Sequence, residues 1–263
     1  MTKTLHFMIG LPRSGSTVLS AILNQNPDVY VTPNSPLLKY LLNMQEAYNN
    51  INESVANPCP EQITNICRAI IDSAWEHRSE SIIVDKHRGW GKNLSAVTTI
   101  TNKKPKILAT VRDLPSIMAS WLTLIKSYSD VFDQAILDRG ILPIDENRVN
   151  QMWLNTTKDT LESLIMAKEF ASDRLLIVDY DDFILNPIET LRKIENHFEI
   201  SKHTYDFNHI EKFEIDDDLK AWGFPNLHKI RLKLEKTSKD AKLILGDKLY
   251  NKFVEIEKEY DYR

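Results

Sequence analysis

The sequence predicts an α/β fold in a single domain, with a central parallel sheet flanked by helices. Three observations predict it. Short apolar runs at residues 5–9, 81–84, 106–111 and 175–178 each end at glycine or polar residues, the pattern of buried strands entering turns. Segments of helical periodicity separate these runs, and alternation of this kind implies parallel strands wrapped by helices. The chain of 263 residues is 42% apolar and 27% charged, a composition that closes a substantial core without disorder on the scale of a domain.

Taken in order, the run 5–9 stops at Gly10, and Val18, Leu19, Ile22 and Leu23 then recur at helical spacing. Asn24-Gln25-Asn26-Pro27 ends that helix. Residues 29–31 read as a short second strand. From Pro36 to about Arg78 the pattern is helical, broken near Asn57-Pro58-Cys59-Pro60. The strand at 81–84 ends at Asp85-Lys86-His87-Arg88, and the strand at 106–111 ends at Arg112-Asp113. Pro115 suits the first turn of the following helix, which carries Ile117, Met118, Trp121, Leu122 and Ile125. Residues 129–146 read as a long loop or lid. A helix at about 147–171 puts Val149, Met152, Trp153, Leu161, Leu164 and Ile165 on one face. The last strand closes at Asp179-Tyr180, and a helix begins near Pro187. From about residue 204 the chain is more polar, a helical extension of the same domain containing Trp222-Gly223-Phe224-Pro225. One domain over residues 1–263 is expected.

The formal net charge of −4 argues against a general nucleic-acid binder, because any polyanion must be held by a local cluster of cations and backbone N–H groups. Cys59 and Cys67 match no metal spacing and read as free thiols. Met1-Thr2-Lys3-Thr4 carries no secretory leader pattern, and no stretch reaches the ~18 apolar residues of a membrane span. A cytoplasmic protein is expected. The sequence carries no signal for oligomeric state.

The chemistry concentrates in Gly10-Leu11-Pro12-Arg13-Ser14-Gly15-Ser16-Thr17. Gly10 and Gly15 have the spacing of a phosphate-binding P-loop between strand and helix, which makes the expected sheet P-loop-like. Ser16 occupies the lysine position of that pattern. Backbone N–H groups from Gly15 to Val18 and the helix N-terminus still provide an anion cradle. Arg13 adds charge from within the loop, and Ser14, Ser16 and Thr17 add hydroxyl donors. Without the lysine, the loop suits a ligand carrying less charge than a nucleoside triphosphate, such as a phosphosulfate, and no metal is expected. Arg112, at a strand end before a helix, is placed either to grip an anion or to pair with Asp113. Ser120, taken alone, reads as a small packing residue.

The loop resembles the 5′-phosphosulfate loop of the sulfotransferase family, especially its tyrosylprotein and bacterial branches. Val111-Arg112-Asp113-Leu114-Pro115 with Ser120 is similar to the family's 3′-phosphate motif, with Leu114 inserted. Val178-Asp179-Tyr180-Asp181-Asp182-Phe183 resembles a third family segment, with Asp181 in place of glutamate. The resemblance spans residue 5 to about 200. It implies a sulfuryl transfer from 3′-phosphoadenosine-5′-phosphosulfate to a hydroxyl or amine acceptor by in-line displacement. It further implies that Arg112 and Ser120 hold the 3′-phosphate, that Tyr180 lies near the adenine, and that Arg231 closes the donor site. Lys86 would steady the bridging oxygen, with Arg88 on the same side of an extended chain. The family's glutamate and histidine bases have no counterpart, since Thr32-Pro33-Asn34-Ser35-Pro36 lacks a carboxylate and Arg88 stands where a histidine is expected. His87 and Asp85 are the candidate bases. His228 and Arg231 lie at a spacing that would share a helical face. Residues 36–80 and 129–146 are expected to shape the acceptor pocket, and the acceptor itself is not encoded in any recognisable motif.

Two other functions fit parts of the pattern. A P-loop kinase or nucleotide hydrolase would use Asp85 to hold Mg²⁺, but lacks its lysine at Ser16. A non-catalytic nucleotide-binding module would use the same cradle without a base.

Overall fold

The computed structural model describes residues 3–211, 217–223, 225–236 and 240–263. Phe224 therefore lies outside the described residues. The strands are β1 (Thr4–Gly10), β2 (Val29–Val31), β3 (Ile82–Lys86), β4 (Ile107–Val111) and β5 (Leu175–Asp179). They form a parallel sheet in the order β2-β3-β1-β4-β5. The helices are α1 (Ser16–Leu23), α2 (Leu37–Asn50), α3 (Asn52–Ala56), α4 (Pro60–Ser73), α5 (Trp90–Thr101), α6 (Leu114–Ser127) and α7 (Ser129–Leu137). They continue as α8 (Asp145–Met152), α9 (Lys158–Ala171), α10 (Tyr180–Leu185), α11 (Pro187–Phe198), α12 (Asp218–Trp222) and α13 (Ala241–Lys258).

Strand side chains alternate between two cores, as a pleated sheet requires. Met8, Val84, Leu108 and Val178 pack with Leu19 and Ile22 of α1 and with Leu191, Ile194 and Phe198 of α11. Phe7, Ile9, Ile107, Ala109 and Val111 face the other way, against α5, α6, α9 and α13. Phe7 stacks on Trp90 with ring centroids 4.1 Å apart. The sheet is thus covered on both faces, which is why its strands read as continuous apolar runs.

Gly91 lets α5 lie close to α9. A Cβ at this position would fall 1.9 Å from the Ser163 carbonyl oxygen, a backbone atom that cannot rotate away. Gly91→Ala is expected to destabilise the fold by about 1–3 kcal/mol, the cost of an overpacked core. A lowered urea midpoint with unchanged m-value would show it.

Residues 129–146 are not the expected loop. They hold α7 and the start of α8, anchored by Ile136 and Val149 in the core. The helix expected at 147–171 is interrupted by a π-helical turn at Trp153–Thr157. Cys59 is exposed and Cys67 buried, both free. Among the described residues no helix is long and apolar enough to cross a membrane.

The parallel register places Gly10, Lys86, Val111 and Asp179 at the carboxyl ends of adjacent strands. In open α/β sheets ligands bind beyond those ends.

Candidate functional site

β1 delivers Gly10 into a sharply turned loop. Gly10 has φ 138, and a Cβ on it would lie 2.3 Å from the Thr110 carbonyl oxygen of β4. The Leu11 N–H donates to that same carbonyl at 2.9 Å. Arg13 (φ 61) and Gly15 (φ 80) both take left-handed backbone, which glycine adopts freely and arginine only at a cost. Gly15 begins α1 with no side-chain cap, and the first turn carries no acidic residue. Such a helix end attracts anions.

A cleft of about 300 Å³ opens over it. Arg13, Gly15, Ser16 and Thr17 line it from the loop, and Arg112, Ser120 and Tyr180 from the strand ends and helices. The C-terminal segment contributes Arg231. The described lining includes six cationic side chains, Arg13, Arg88, Arg112, Lys229, Arg231 and Lys233, against the single carboxylate of Glu235. A protein of net charge −4 has gathered cations here.

Three of these guanidinium groups crowd one another. Arg13 donates through Nε to Ser120 Oγ at 3.0 Å and through Nη1 to the Leu227 carbonyl at 2.9 Å. Arg112 donates through Nη1 to the Arg13 carbonyl at 3.3 Å and lies 4.4 Å from the Tyr180 ring centroid. The Arg112 Nε is buried and has no hydrogen-bond partner. Burial, and then the charge of Arg112, holds Arg13 below the ordinary arginine range. Burial, with Arg13's charge added, brings Arg88 down to about 10. Among the described residues none of the three pairs with a carboxylate. Asp113, the alternative partner of Arg112, instead caps α6 by accepting the Ser116 N–H at 2.8 Å. Buried like charges with an orphaned donor are stabilised by an entering anion.

Two donor-site expectations change. Ser14 is buried, and its hydroxyl donates to the Leu11 carbonyl at 2.6 Å while lying 2.7 Å from Thr110 Oγ1. It shapes the loop and does not line the cleft. Arg231 lines the cleft but pairs with Glu235 at 2.7 Å. The turn at residues 225–228 ends before it, so His228 and Arg231 share no helical face.

A second cleft, of about 390 Å³, lies against the first. Its lining includes Gly10, Asn34, Leu38, Lys86, His87 and Trp222. The two clefts share Ser16, Thr17, Arg88, Leu227 and His228. Residues 129–146 line neither; the π-helical turn and α9 supply Asn155, Thr156, Asp159 and Thr160 to the second instead. Lys86 is buried at the end of β3, its N–H donating to Thr32 Oγ1 at 2.7 Å.

Neither candidate base is placed for the task. Asp85 is fully buried and lines neither cleft. Its carboxylate accepts from the Ser35 hydroxyl at 2.5 Å and from the Trp90 indole N–H at 2.7 Å. It ties β3 to α2 and α5, and those bonds leave no place for Mg²⁺. His87 lines the second cleft, but its Nδ1 lone pair accepts the Gly89 N–H at 3.0 Å. Burial, then the charges of Lys39 and Arg88, lowers it to about 4, too weak a base for neutral pH.

Asp85 makes a pH prediction. Burial raises its carboxyl to about 6, above its unfolded value. Its favourable contribution is complete below about pH 4 and is lost as pH rises through about 6, a change of roughly 3 kcal/mol. Asp85→Asn removes this loss. The stability of wild type relative to the variant is therefore expected to fall across that window in urea titrations at successive pH values.

Sequence reasoning did not pair His228 with Asp218. His228 Nδ1 lies 2.6 Å from Asp218 Oδ1, and its backbone N–H donates to Asp218 Oδ2 at 2.7 Å. The two are ten residues apart in a stretch without periodicity, so only the turn between them reveals the contact.

The sequence model of a family described as "Sulfotransferase family" matches residues 6–204. No curated protein sequence matches significantly. Among solved structures, the sulfotransferase domain from the Synechococcus PCC 7002 olefin synthase superposes with a TM-score of 0.56 at 18% identity, over 100% of this chain and 97% of that one. The sulfotransferase domain from the curacin biosynthetic pathway gives 0.51 at 14% identity, over 100% of this chain and 94% of that one. At such identities the likeness is one of fold.

Proposed function

This chain belongs to the sulfotransferase family, and from that premise we propose that it takes its sulfuryl group from 3′-phosphoadenosine-5′-phosphosulfate, bound in the cationic cleft. The observation that carries the reading is the buried, unpartnered Nε of Arg112 in that cleft. The uncapped start of α1 suits the 5′-phosphosulfate. Arg112 and Ser120 suit the 3′-phosphate, and Tyr180, stacked on Arg112, suits the adenine. The second cleft suits a hydroxyl or amine acceptor, and the shared wall at Ser16, Thr17 and Arg88 is where the two substrates would meet.

Sulfuryl transfer, like phosphoryl transfer, proceeds by in-line displacement through a loose transition state, so positioning and charge supply the catalysis. Arg88 lies in the wall the two clefts share and Lys86 lines the second cleft; positive charge there would offset the negative charge growing on the bridging oxygen. Ser16 in place of a lysine fits a donor whose sulfuryl group carries one negative charge. Asp85, locked by Ser35 and Trp90, offers no support for a Mg²⁺-dependent kinase.

3′-Phosphoadenosine 5′-phosphate at about a hundredfold excess over its Kd is expected to stabilise the protein by about 2.7 kcal/mol, a shift of several degrees in Tm. AMP at the same concentration should shift it less. Equal shifts, or none, would remove the donor assignment.

A further inference from the structure

Resting on that donor reading, we propose that His228, oriented by Asp218, is the general base that takes the proton from the acceptor. His228 lies in the shared wall of the two clefts, the place where an acceptor would reach the sulfuryl group. Its side chain is 16% exposed and that of Asp218 only 6%. The buried carboxylate holds both the backbone N–H and the ring Nδ1 of the same histidine. A carboxylate against Nδ1 fixes the tautomer with the hydrogen there and puts the basic lone pair on Nε2, the opposite ring edge. Trp222 meets the ring edge-on, with centroids 6.4 Å apart.

The charges around the ring suit the role. Arg88 shares the wall with it, and Asp218 is close enough to Arg13 to favour that guanidinium's charge. Asp218 beside Nδ1 stabilises the imidazolium formed in the step. In the step itself the acceptor oxygen or nitrogen forms its bond to sulfur while its proton passes to Nε2. The bond from sulfur to the bridging oxygen breaks, and its electron pair stays on the departing phosphate. The proton then leaves His228 for solvent. Asp85 and His87 are already engaged by the bonds they make, and His228 is the histidine in the wall both clefts share.

The test uses the full chain with selectively ¹⁵N-labelled histidine, saturated with 3′-phosphoadenosine 5′-phosphate near neutral pH. The His228 resonances are expected to show a protonated Nδ1 and an unprotonated Nε2. Asp218→Asn should perturb that tautomer and lower kcat by a larger factor than it raises KM for the donor. His228→Ala should bind the nucleotide within a few-fold of wild type. Its transfer of radiolabelled sulfuryl to phenols, alcohols, amines or water should fall about 100-fold or more, the usual contribution of a general base, and added imidazole should restore part of it. Retained turnover in His228→Ala, or an imidazolium or Nε2–H tautomer in the nucleotide complex, overturns the assignment. The spectrum decides it even if no acceptor in the panel is turned over. Failure of the wild type to bind the nucleotide strikes the donor reading instead.

Discussion

Replacing Arg112 by alanine is expected to weaken binding of 3′-phosphoadenosine 5′-phosphate by about 100-fold while leaving AMP within a few-fold. Hydrogen bonds to charged groups are worth about 1.5–3 kcal/mol each, and 100-fold corresponds to about 2.7 kcal/mol. The guanidinium has a buried Nε without a partner, so a phosphate reaching it gains a bond that nothing in the free protein already makes. AMP lacks the 3′-phosphate and so loses little, which separates recognition from general damage to the cleft. Isothermal titration of both nucleotides reads the ratio. Equal weakening of the two would mean that Arg112 supports the cleft as a whole through its bond to the Arg13 carbonyl and its contact with Tyr180.

Lys86→Met gives the opposite profile. It keeps the length of the buried stem and removes the charge. Losing one preorganised donor at the site of developing charge costs about 100- to 1,000-fold in kcat. Affinity for the product nucleotide should stay within a few-fold, because on the proposed reading the 5′-phosphate would be held by the loop rather than by β3. A variant that loses nucleotide affinity and keeps its turnover number would move Lys86 from the transition state to the ground state.

The sheet was legible because helices cover both of its faces, which makes its strands apolar runs, and each run ends in a residue that breaks it. Gly10, Arg112 and Tyr180 mark those ends and line or frame the cleft. Within 129–146 the sequence is polar enough to read as loop, yet buried Ile136 and half-buried Phe132 seat α7 on the fold. Ser14 shows the limit of motif reading. Its neighbours in the loop line the cleft, but the left-handed backbone at Arg13 and Gly15 turns its hydroxyl inward to Thr110. Asp85 sits beside Lys86, but strand alternation sends the two to different surroundings, and burial makes the former structural. His228 was invisible as a partner of Asp218 because a turn, not a period, brings them together. Arg88 was legible only as a cation near Lys86; its place in the wall of both clefts depends on how the chain leaves β3.

A crystal structure with 3′-phosphoadenosine 5′-phosphate tests the donor assignment most directly. The 5′-phosphate is expected on the backbone N–H groups of residues 15–18 and the 3′-phosphate within hydrogen-bond distance of Arg112 and Ser120. A nucleotide bound with its 3′-phosphate in solvent, or bound outside this cleft, would contradict it.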